Sequence, residues 1–120
     1  TVLLVEDDPA VRELVARVLR QQGYTVLETA DGQEALRLAQ QHGGKIHLLL
    51  ADVVMPGLSG MALARQLAPL QPSMKLLFMS GYADNAVVQH SILDASVAFL
   101  QKPFNSLALA RKVRQVLDAS

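Results

Sequence analysis

Short runs that are apolar or, at residues 24–29, β-branched and partly alternating are separated along the chain by longer stretches in which apolar residues recur every three or four positions. An apolar run of about four to six residues is typical of a strand buried on both faces, whereas the longer spacing is typical of an amphipathic helix. Strands are predicted at residues 2–5, 24–29, 46–52, 75–79 and 97–100. Helices are predicted from Asp8-Pro9 to Gly23, from Asp31-Gly32 to Gly43-Gly44, over 60–70, over 84–93 and from Asn105 onward.

The helical spacing also predicts which residues face the core. The helix over 60–70 is expected to bury Leu63, Leu67 and Leu70. The last helix is expected to bury Leu107, Ala110, Val113 and Leu117. Leu109 and Val116 fall on another face of that helix, with Lys112 between them, and this face is a candidate surface for a partner. The alternative is ordinary exposed leucine and valine, which are common on protein surfaces.

Strands that alternate with helices predict a parallel sheet covered by helices on both faces, with right-handed crossovers. Ligands of such sheets bind beyond the carboxyl ends of the strands. Four strands end on reactive or small polar residues: Glu6-Asp7, Asp52, Ser80-Gly81 and Lys102. The second strand does not, which predicts that it lies at an edge of the sheet. With 120 residues, the chain is predicted to form one α/β domain, residues 1–120.

The overall amino-acid composition indicates which classes of partner and which cellular compartment the chain suits. Lys plus Arg equal Asp plus Glu at 11 each, so no overall charge favours nucleic acid or an anionic membrane. The absence of cysteine excludes disulfides, thiolate chemistry and Cys-ligated zinc, and it suits the cytoplasm. No apolar run approaches the roughly 18 residues of a membrane span. We therefore expect a cytoplasmic domain that contacts neither nucleic acid nor membrane directly.

The acids Glu6, Asp7 and Asp52 are predicted to meet at one crevice, because their strands end at the same edge of the sheet. Converging carboxylates repel one another unless a cation is bound, and Mg²⁺ prefers hard oxygen ligands. Asp7, Asp52 and one backbone carbonyl would suffice for such an ion, with Glu6 acting through water. The Asp52 carboxylate can then attack phosphorus as a nucleophile, as carboxylates do in aspartyl-phosphate enzymes.

The other strand ends supply groups that complement a phosphoryl group. Ser80 offers a hydroxyl, Gly81 an unobstructed backbone N–H and Lys102 a cation. Taken singly, Asp52 is also compatible with a turn or helix cap, Ser80-Gly81 with a turn and Lys102 with a solvated side chain. Their joint placement is what favours a functional site.

Several polar or polarisable residues are interpreted as structural. Asp8 beside Pro9 is favoured as the N-cap and dipole-stabilising start of the first helix. His42, His47 and His90 are scattered over different elements and are interpreted as structural. Met55, Met61, Met74 and Met79 are interpreted as packing residues.

Four segments follow one another over the whole chain: Val5-Glu6-Asp7-Asp8, Asp52-Val53-Val54-Met55-Pro56-Gly57, Met79-Ser80-Gly81 and Lys102-Pro103-Phe104. Together they resemble the receiver domain of bacterial two-component response regulators. This resemblance implies a flavodoxin-like fold with strand order 2-1-3-4-5 and five helices. The segments 78–84 and 99–104 further resemble receivers fused to the C-terminus of hybrid sensor histidine kinases.

The resemblance implies a role for each strand end. Asp52 would accept a phosphoryl group from a phosphohistidine. The ligands of Mg²⁺ (or Mn²⁺) would be Glu6, Asp7, Asp52 and the carbonyl of Val54. The phosphoryl group would be bound by Val53, Ser80, Gly81 and Lys102. A cis peptide bond is implied between Lys102 and Pro103.

The family also implies a switch that alters the face formed by the last two predicted helices and the last strand. The Ser80 hydroxyl would move toward the phosphoryl group, and the aromatic Phe99 would turn inward behind it. Many family members carry Tyr at that position, so coupling here must rely on packing rather than on a ring hydroxyl. Neither Val54 nor Tyr82 can orient a water as an acid or amide would, so slow to moderate self-dephosphorylation is predicted.

The expected partner is a histidine kinase or a histidine phosphotransfer domain, and fused kinase domains are one option. The domain itself is expected to catalyse its own phosphorylation and slow dephosphorylation. It is expected to be a monomer or a weak dimer. If it is fused to a longer chain, that parent chain could be a membrane-anchored kinase. A free-standing receiver, the receiver of a DNA-binding regulator and an unphosphorylated binding module stay open. An aspartyl-phosphate hydrolase is disfavoured because the Asp-x-Asp motif is absent, and a flavodoxin-like carrier because the first loop is acidic.

Overall fold

Nine regular elements form where the apolar pattern predicts them, in a computed structural model that describes residues 1–53, 58–80, 98–102 and 104–118. The strands are β1 (Val2–Val5), β2 (Val26–Thr29), β3 (Leu48–Asp52), β4 (Lys75–Ser80) and β5 (Ala98–Gln101). The helices are α1 (Pro9–Gln21), α2 (Gly32–Gln41), α3 (Gly60–Leu67) and α4 (Ser106–Asp118). The helix predicted over 84–93 lies outside the described residues. Within those ranges, no helix is long and apolar enough to cross a membrane.

The five strands form one parallel sheet in the order β2-β1-β3-β4-β5, which confirms the predicted topology. In β1, Val5 pairs with Thr29 on one side and with Ala51 on the other. β2 lies at an edge of the sheet, as the lack of a reactive residue at its end predicted. Because β1 and β3 are neighbours and run parallel, Glu6 and Asp52 lie side by side at their carboxyl ends.

Both faces of the sheet are covered, which explains why its strands are apolar at successive positions instead of alternate ones. In β1, Val2 and Leu4 pack on one face with residues of α1 and α4. Leu3 and Val5 pack on the opposite face with residues of α2 and α3. All four side chains are fully buried, so β1 is anchored from both sides just before Glu6.

Two helix caps form where they were predicted. The Asp8 side chain accepts a hydrogen bond from the Ala10 amide at 2.9 Å, and Pro9 occupies the first helical position of α1. The Asn105 side chain accepts from the Ala108 amide at 2.8 Å. These contacts confirm Asp8 as a helix cap and Asn105 as the cap of α4.

The predicted orientation of the last helix is only partly right: Val113 is buried and Ala110 and Leu117 are partly buried against the core, but Leu107 is not. Leu109 and Val113 are fully buried and Val116 is 8% exposed, whereas Leu107 is 58% exposed. Leu109, Val113 and Val116 are spaced four and three residues apart, so they form one stripe along α4, and this stripe packs on the sheet. Leu109 and Val116 therefore belong to the core and are not a surface for a partner.

The third helix is shorter than predicted. It ends at Leu67 rather than at residue 70, and Leu70 is 47% exposed instead of buried. Pro69 accounts for the difference, because its ring nitrogen cannot donate to the carbonyl of Arg65 and its ring would clash there.

Candidate functional site

Residues that follow or end three different strands converge at the carboxyl edge of the sheet. Glu6 directly follows β1, Asp52 ends β3 and Lys102 directly follows β5. The Lys102 ammonium lies 2.7 Å from Asp52 Oδ1 and 3.0 Å from Glu6 Oε2. The lysine thus bridges two buried carboxylates, an ion pair that the strand-end pattern did not specify. We call this group of Glu6, Asp7, Asp52 and Lys102 the acid site.

Glu6 is held through four of its atoms. Its backbone amide donates to the Thr29 carbonyl at 3.1 Å, and its own carbonyl accepts from the Arg12 guanidinium at 2.8 Å. Its Oε1 accepts from the Asp8 amide at 3.0 Å, and its Oε2 contacts Lys102. Glu6 is fully buried, so both its backbone and its carboxylate have fixed partners.

Asp52 is buried but less completely paired than Glu6. Its Oδ1 contacts Lys102, whereas its buried Oδ2 has no hydrogen-bond partner among the residues that the structure describes. A buried carboxylate oxygen without a partner is costly, because it has lost its hydration without replacement. This oxygen is therefore available to a ligand that brings positive charge.

The pKa values of the acid site reflect burial and crowding. Burial, together with the adjacent Glu6 carboxylate, raises the pKa of Asp52 from 3.8 to about 8, and the Lys102 ammonium opposes this rise. Burial also acts to raise the pKa of Glu6, but the adjacent Asp52 carboxyl, the Asp8 amide and Lys102 together outweigh burial and lower it. Burial acts to lower the pKa of Lys102, yet the two carboxylates outweigh burial and raise it. Lys102 consequently stays charged, and Asp52 is the group whose charge is poised near neutral pH.

The acid site has the donor set of a divalent cation site. Glu6, Asp7 and Asp52 each offer a carboxylate oxygen, and these oxygens all lie within 4.8 Å of one another. Asp7 is exposed, so the cluster opens toward solvent on that side. Hard oxygen donors and the unpaired Asp52 Oδ2 fit Mg²⁺, which keeps several waters and needs few protein ligands.

Gly60 is a further residue that shapes the acceptor, and the sequence pattern identified it only as a helix start. A Cβ atom at Gly60 would overlap the carbonyl oxygen of Asp52 and would lie 3.1 Å from the Phe78 ring. The Gly60 amide also donates to the Val53 carbonyl at 3.1 Å. The first turn of α3 therefore packs directly against the peptide that carries Asp52.

The other predicted site residues are only partly described. Ser80 ends β4 and is paired with Gln101 of β5. The Val53 amide donates to the Met79 carbonyl at 3.0 Å, so it already has a partner. Half-buried Phe99 lies on β5 with its ring centroid 6.0 Å from that of Phe78. Val54, Gly81, Tyr82 and Pro103 lie outside the described residues, and their roles stay predictions.

The described histidines lie away from this edge of the sheet. His47 directly precedes β3, at the opposite end of the strand from Asp52, and its Nδ1 lies 2.9 Å from the Thr1 amino group. His42 is the C-cap of α2. Both positions support a structural interpretation, and His90 lies outside the described residues.

These features define a class of protein. The chain belongs to the response regulator receiver domain family, whose profile matches residues 2–114. Receiver domains of this family bind Mg²⁺ through acidic residues, and they interact with histidine kinases or histidine phosphotransfer proteins. The receiver fold predicted from the resemblance is therefore confirmed.

Several individual members of the family are similar to this chain. The sensor kinase CckA of Brucella abortus (strain 2308) is 44% identical over 118 residues, which are 98% of this chain and 12% of that protein. The response regulator receiver protein CpdR of the same strain is 32% identical over 119 residues, which are 99% of this chain and 98% of that protein. A crystal structure of the receiver domain from the hybrid histidine kinase CckA matches with a TM-score of 0.81 at 38% identity, covering 98% of both chains.

Proposed function

We propose that this domain accepts a phosphoryl group on Asp52 from a phosphohistidine of a histidine kinase or a histidine phosphotransfer domain. The observation that carries the proposal is the pairing of Asp52. One of its oxygens contacts Lys102, and the other is buried without a hydrogen-bond partner among the described residues. A carboxylate that served only the fold would be expected to have both oxygens satisfied.

The proposed reaction is an in-line displacement at phosphorus. An Asp52 carboxylate oxygen forms the new O–P bond while the N–P bond of the phosphohistidine breaks, and the imidazole nitrogen keeps the electron pair of that bond. The Lys102 ammonium, 2.7 Å from Asp52 Oδ1, is placed to neutralise charge on the transferred group. Ser80 and Gly81 are proposed to contact the phosphoryl oxygens from the neighbouring strand end, and Val53 is proposed to join them once its amide leaves the Met79 carbonyl.

Glu6, Asp7 and Asp52, with the carbonyl of Val54, are the proposed ligands of Mg²⁺. When bound, this ion supplies positive charge that neutralises the carboxylates and the phosphoryl oxygens. Glu6 is proposed to act mainly as a fixed anchor because its carboxylate already holds Lys102 and the Asp8 amide. Asp7 is exposed and is the acid best placed to reorient toward an ion.

We further propose that the domain is the receiver of a hybrid histidine kinase, a single receiver domain spanning residues 1–120. The support is the similarity to the sensor kinase CckA, at 44% identity over 98% of this chain. The match to CpdR over 98% of that protein keeps a free-standing receiver as the alternative. Phosphorylation is proposed to act through Ser80 and the half-buried Phe99, with Phe99 coupling by packing alone.

Intact mass spectrometry after incubation with Mg²⁺ and acetyl phosphate tests the proposal. We expect the native domain to gain one phosphoryl group and the Asp52→Asn variant to gain none. Asp31→Asn is the matched control, because Asp31 is the exposed helix cap that follows β2 and lies outside the acid site. Equal gain in all three proteins, or gain in none, would contradict Asp52 as the acceptor.

Transfer from a purified, phosphorylated histidine kinase tests the partner class separately. We expect radiolabel to move from the kinase to the native domain and not to Asp52→Asn. Transfer that requires a separate histidine phosphotransfer domain would support the phosphorelay version of the proposal. Phosphorylation by acetyl phosphate alone, with no transfer from either protein, would contradict the proposed donor and leave the chemistry of Asp52 intact.

A further inference from the structure

Arg12 links the acid site to the edge strand of the sheet. It lies in the first turns of α1, and its Nη1 donates to the Glu6 carbonyl at 2.8 Å. Its Nε lies 3.9 Å from the carboxylate of Glu28 on β2. Nothing in the apolar pattern or in the strand-end motifs pointed to this residue, because its main contact is with a backbone atom.

We propose, on the basis of the phosphoacceptor function above, that Arg12 is a positioning residue that sets the acid site for magnesium. The Glu6 carbonyl belongs to the peptide unit that joins Glu6 to Asp7. That unit is planar, so a donor that fixes its carbonyl also fixes the direction in which the chain enters Asp7. One guanidinium contact therefore orients two of the three acids that converge at the site.

The relative strength of its two contacts argues that Arg12 serves the strand end more than the edge strand. A partly exposed ion pair at 3.9 Å contributes little to stability. The 2.8 Å bond to the Glu6 carbonyl has a charged donor and good geometry, and such bonds are among the stronger ones in proteins. The Glu28 carboxylate then helps to orient the Arg12 guanidinium toward the Glu6 carbonyl.

Arg20 provides a matched comparison within the same helix. It lies eight positions after Arg12, about two turns along the same face of α1. Its Nη1 contacts the Glu28 carboxylate at 2.9 Å, and its Nη2 donates to the Val26 carbonyl at 3.3 Å. Arg20 thus shares the Glu28 partner and contacts the same strand, but within the described part of the chain it does not contact Glu6.

Magnesium titrations of the native domain, Arg12→Met and Arg20→Met test the proposal. Methionine keeps the length of the arginine stem while it removes the donors. We expect Arg12→Met to bind Mg²⁺ about tenfold more weakly, the lower end of the loss typical when an outer-shell partner of a metal ligand is removed. Arg20→Met is expected to stay within about twofold of native, because its exposed ion pair contributes little.

Two readouts besides affinity separate positioning from a general structural role. The amide resonance of Asp7 is expected to shift in metal-free Arg12→Met and to stay in place in Arg20→Met. The phosphorylation rate of Arg12→Met is expected to recover when Mg²⁺ is raised in proportion to its weaker binding. If Arg12→Met does not fold, Arg12→Lys replaces it, and its single ammonium is expected to weaken Mg²⁺ binding less than tenfold.

Native Mg²⁺ affinity in the folded Arg12 variant would overturn the proposal. An equal loss in the Arg12 and Arg20 variants would overturn it too, because the effect would then come from the attachment of α1 to β2. Failure of the proposed function looks different: the native domain itself would take up no phosphoryl group. Weaker binding in the Arg12 variant alone would support the proposal even in that case, because magnesium binding is measured without phosphoryl transfer.

Discussion

The amino ends of the strands (the amino edge) and their carboxyl ends (the carboxyl edge) differ in how completely their polar groups are paired. At the amino edge, the neutral Gln71 accepts from the Ile46 amide at 3.0 Å and donates to the Gly44 carbonyl at 3.2 Å. At the carboxyl edge, two buried carboxylates share one ammonium, and Asp52 keeps an oxygen without a partner among the described residues. The first arrangement completes the hydrogen bonding of a turn. The second leaves a buried carboxyl oxygen without a partner where a ligand can bind, which is why we assign function to that edge.

The largest expected effect comes from removing the cation of the carboxyl edge. Lys102→Met would leave the Asp52 and Glu6 carboxylates facing each other without the ammonium that now lies within 3.0 Å of both. We expect phosphorylation by acetyl phosphate to slow by about 100-fold, typical for the loss of one electrostatic contact to a transition state. Single-turnover kinetics at saturating Mg²⁺ measure this effect, and a rate within threefold of native would contradict the proposed role of Lys102.

Gly60→Ala is expected to have the next largest effect, because its Cβ would overlap the Asp52 carbonyl oxygen. We expect a loss of about 1–3 kcal/mol in the free energy of unfolding, typical of overpacking, together with slower phosphorylation. Gly43→Ala is the matched control, because a Cβ there has no atom within 4 Å. Urea denaturation measures both variants, and equal stability of the two would refute the close approach of α3 to Asp52.

The carboxyl edge should also make stability depend on pH. The pKa of Asp52 rises from an ordinary value of 3.8 to about 8 on folding. Its protonated form therefore favours the folded state, so this contribution is complete below pH 3.8 and is lost as the pH rises toward 8. The lowered pKa of Glu6 acts only at more acidic pH and the raised pKa of Lys102 only at alkaline pH.

We accordingly expect the melting temperature of the metal-free native domain to fall between pH 5 and pH 8, relative to that of Asp52→Asn. Magnesium should remove most of the difference, because it compensates the charge of Asp52. Scanning calorimetry of both proteins, with and without Mg²⁺, provides the measurement. If the melting temperatures of the native domain and Asp52→Asn changed in parallel with pH in the absence of metal, the ionisation of Asp52 would not destabilise the folded state, which would contradict the prediction.

The smallest effect is predicted for the amino edge. Gln71→Ala removes both of its bonds to the turn before β3, and we expect a loss of about 1–2 kcal/mol in the free energy of unfolding. Phosphorylation and Mg²⁺ affinity should stay native, because Gln71 lies at the end of the sheet away from Asp52. A changed Mg²⁺ affinity in this variant would show that the two edges are coupled, and it would contradict the claim that the amino edge does not influence the acid site.

The convergence of Glu6, Asp52 and Lys102 could be predicted from sequence because it depends on strand ends. Glu6 and Lys102 are separated by 96 positions along the chain and still form an ion pair. Apolar runs located the strands, and the rule that parallel strands deliver their carboxyl ends to one edge brought the two residues together. The helix caps at Asp8 and Asn105 were predictable because each is a hydrogen bond between a side chain and a backbone amide two or three residues later, so the local sequence specifies it.

The failures have equally specific causes. The last helix carries leucines on more than one face, and spacing alone could not decide whether Leu107 or Leu109 faces the sheet. Arg12 was missed because its bond to the Glu6 carbonyl is a contact with the backbone, which any residue at position 6 would offer. Gly60 was missed because its importance depends on how closely α3 approaches Asp52, a distance that only tertiary packing sets.

The most direct test of the account is chemical mapping of the phosphorylated residue. Borohydride reduces an aspartyl phosphate to homoserine, so peptide sequencing by mass spectrometry can locate the acceptor after reaction with acetyl phosphate and Mg²⁺. We predict homoserine at position 52 and at no other carboxylate. Homoserine at Asp7 or Asp8, or a phosphorylated chain without homoserine at position 52, would contradict the assignment of Asp52 as the acceptor.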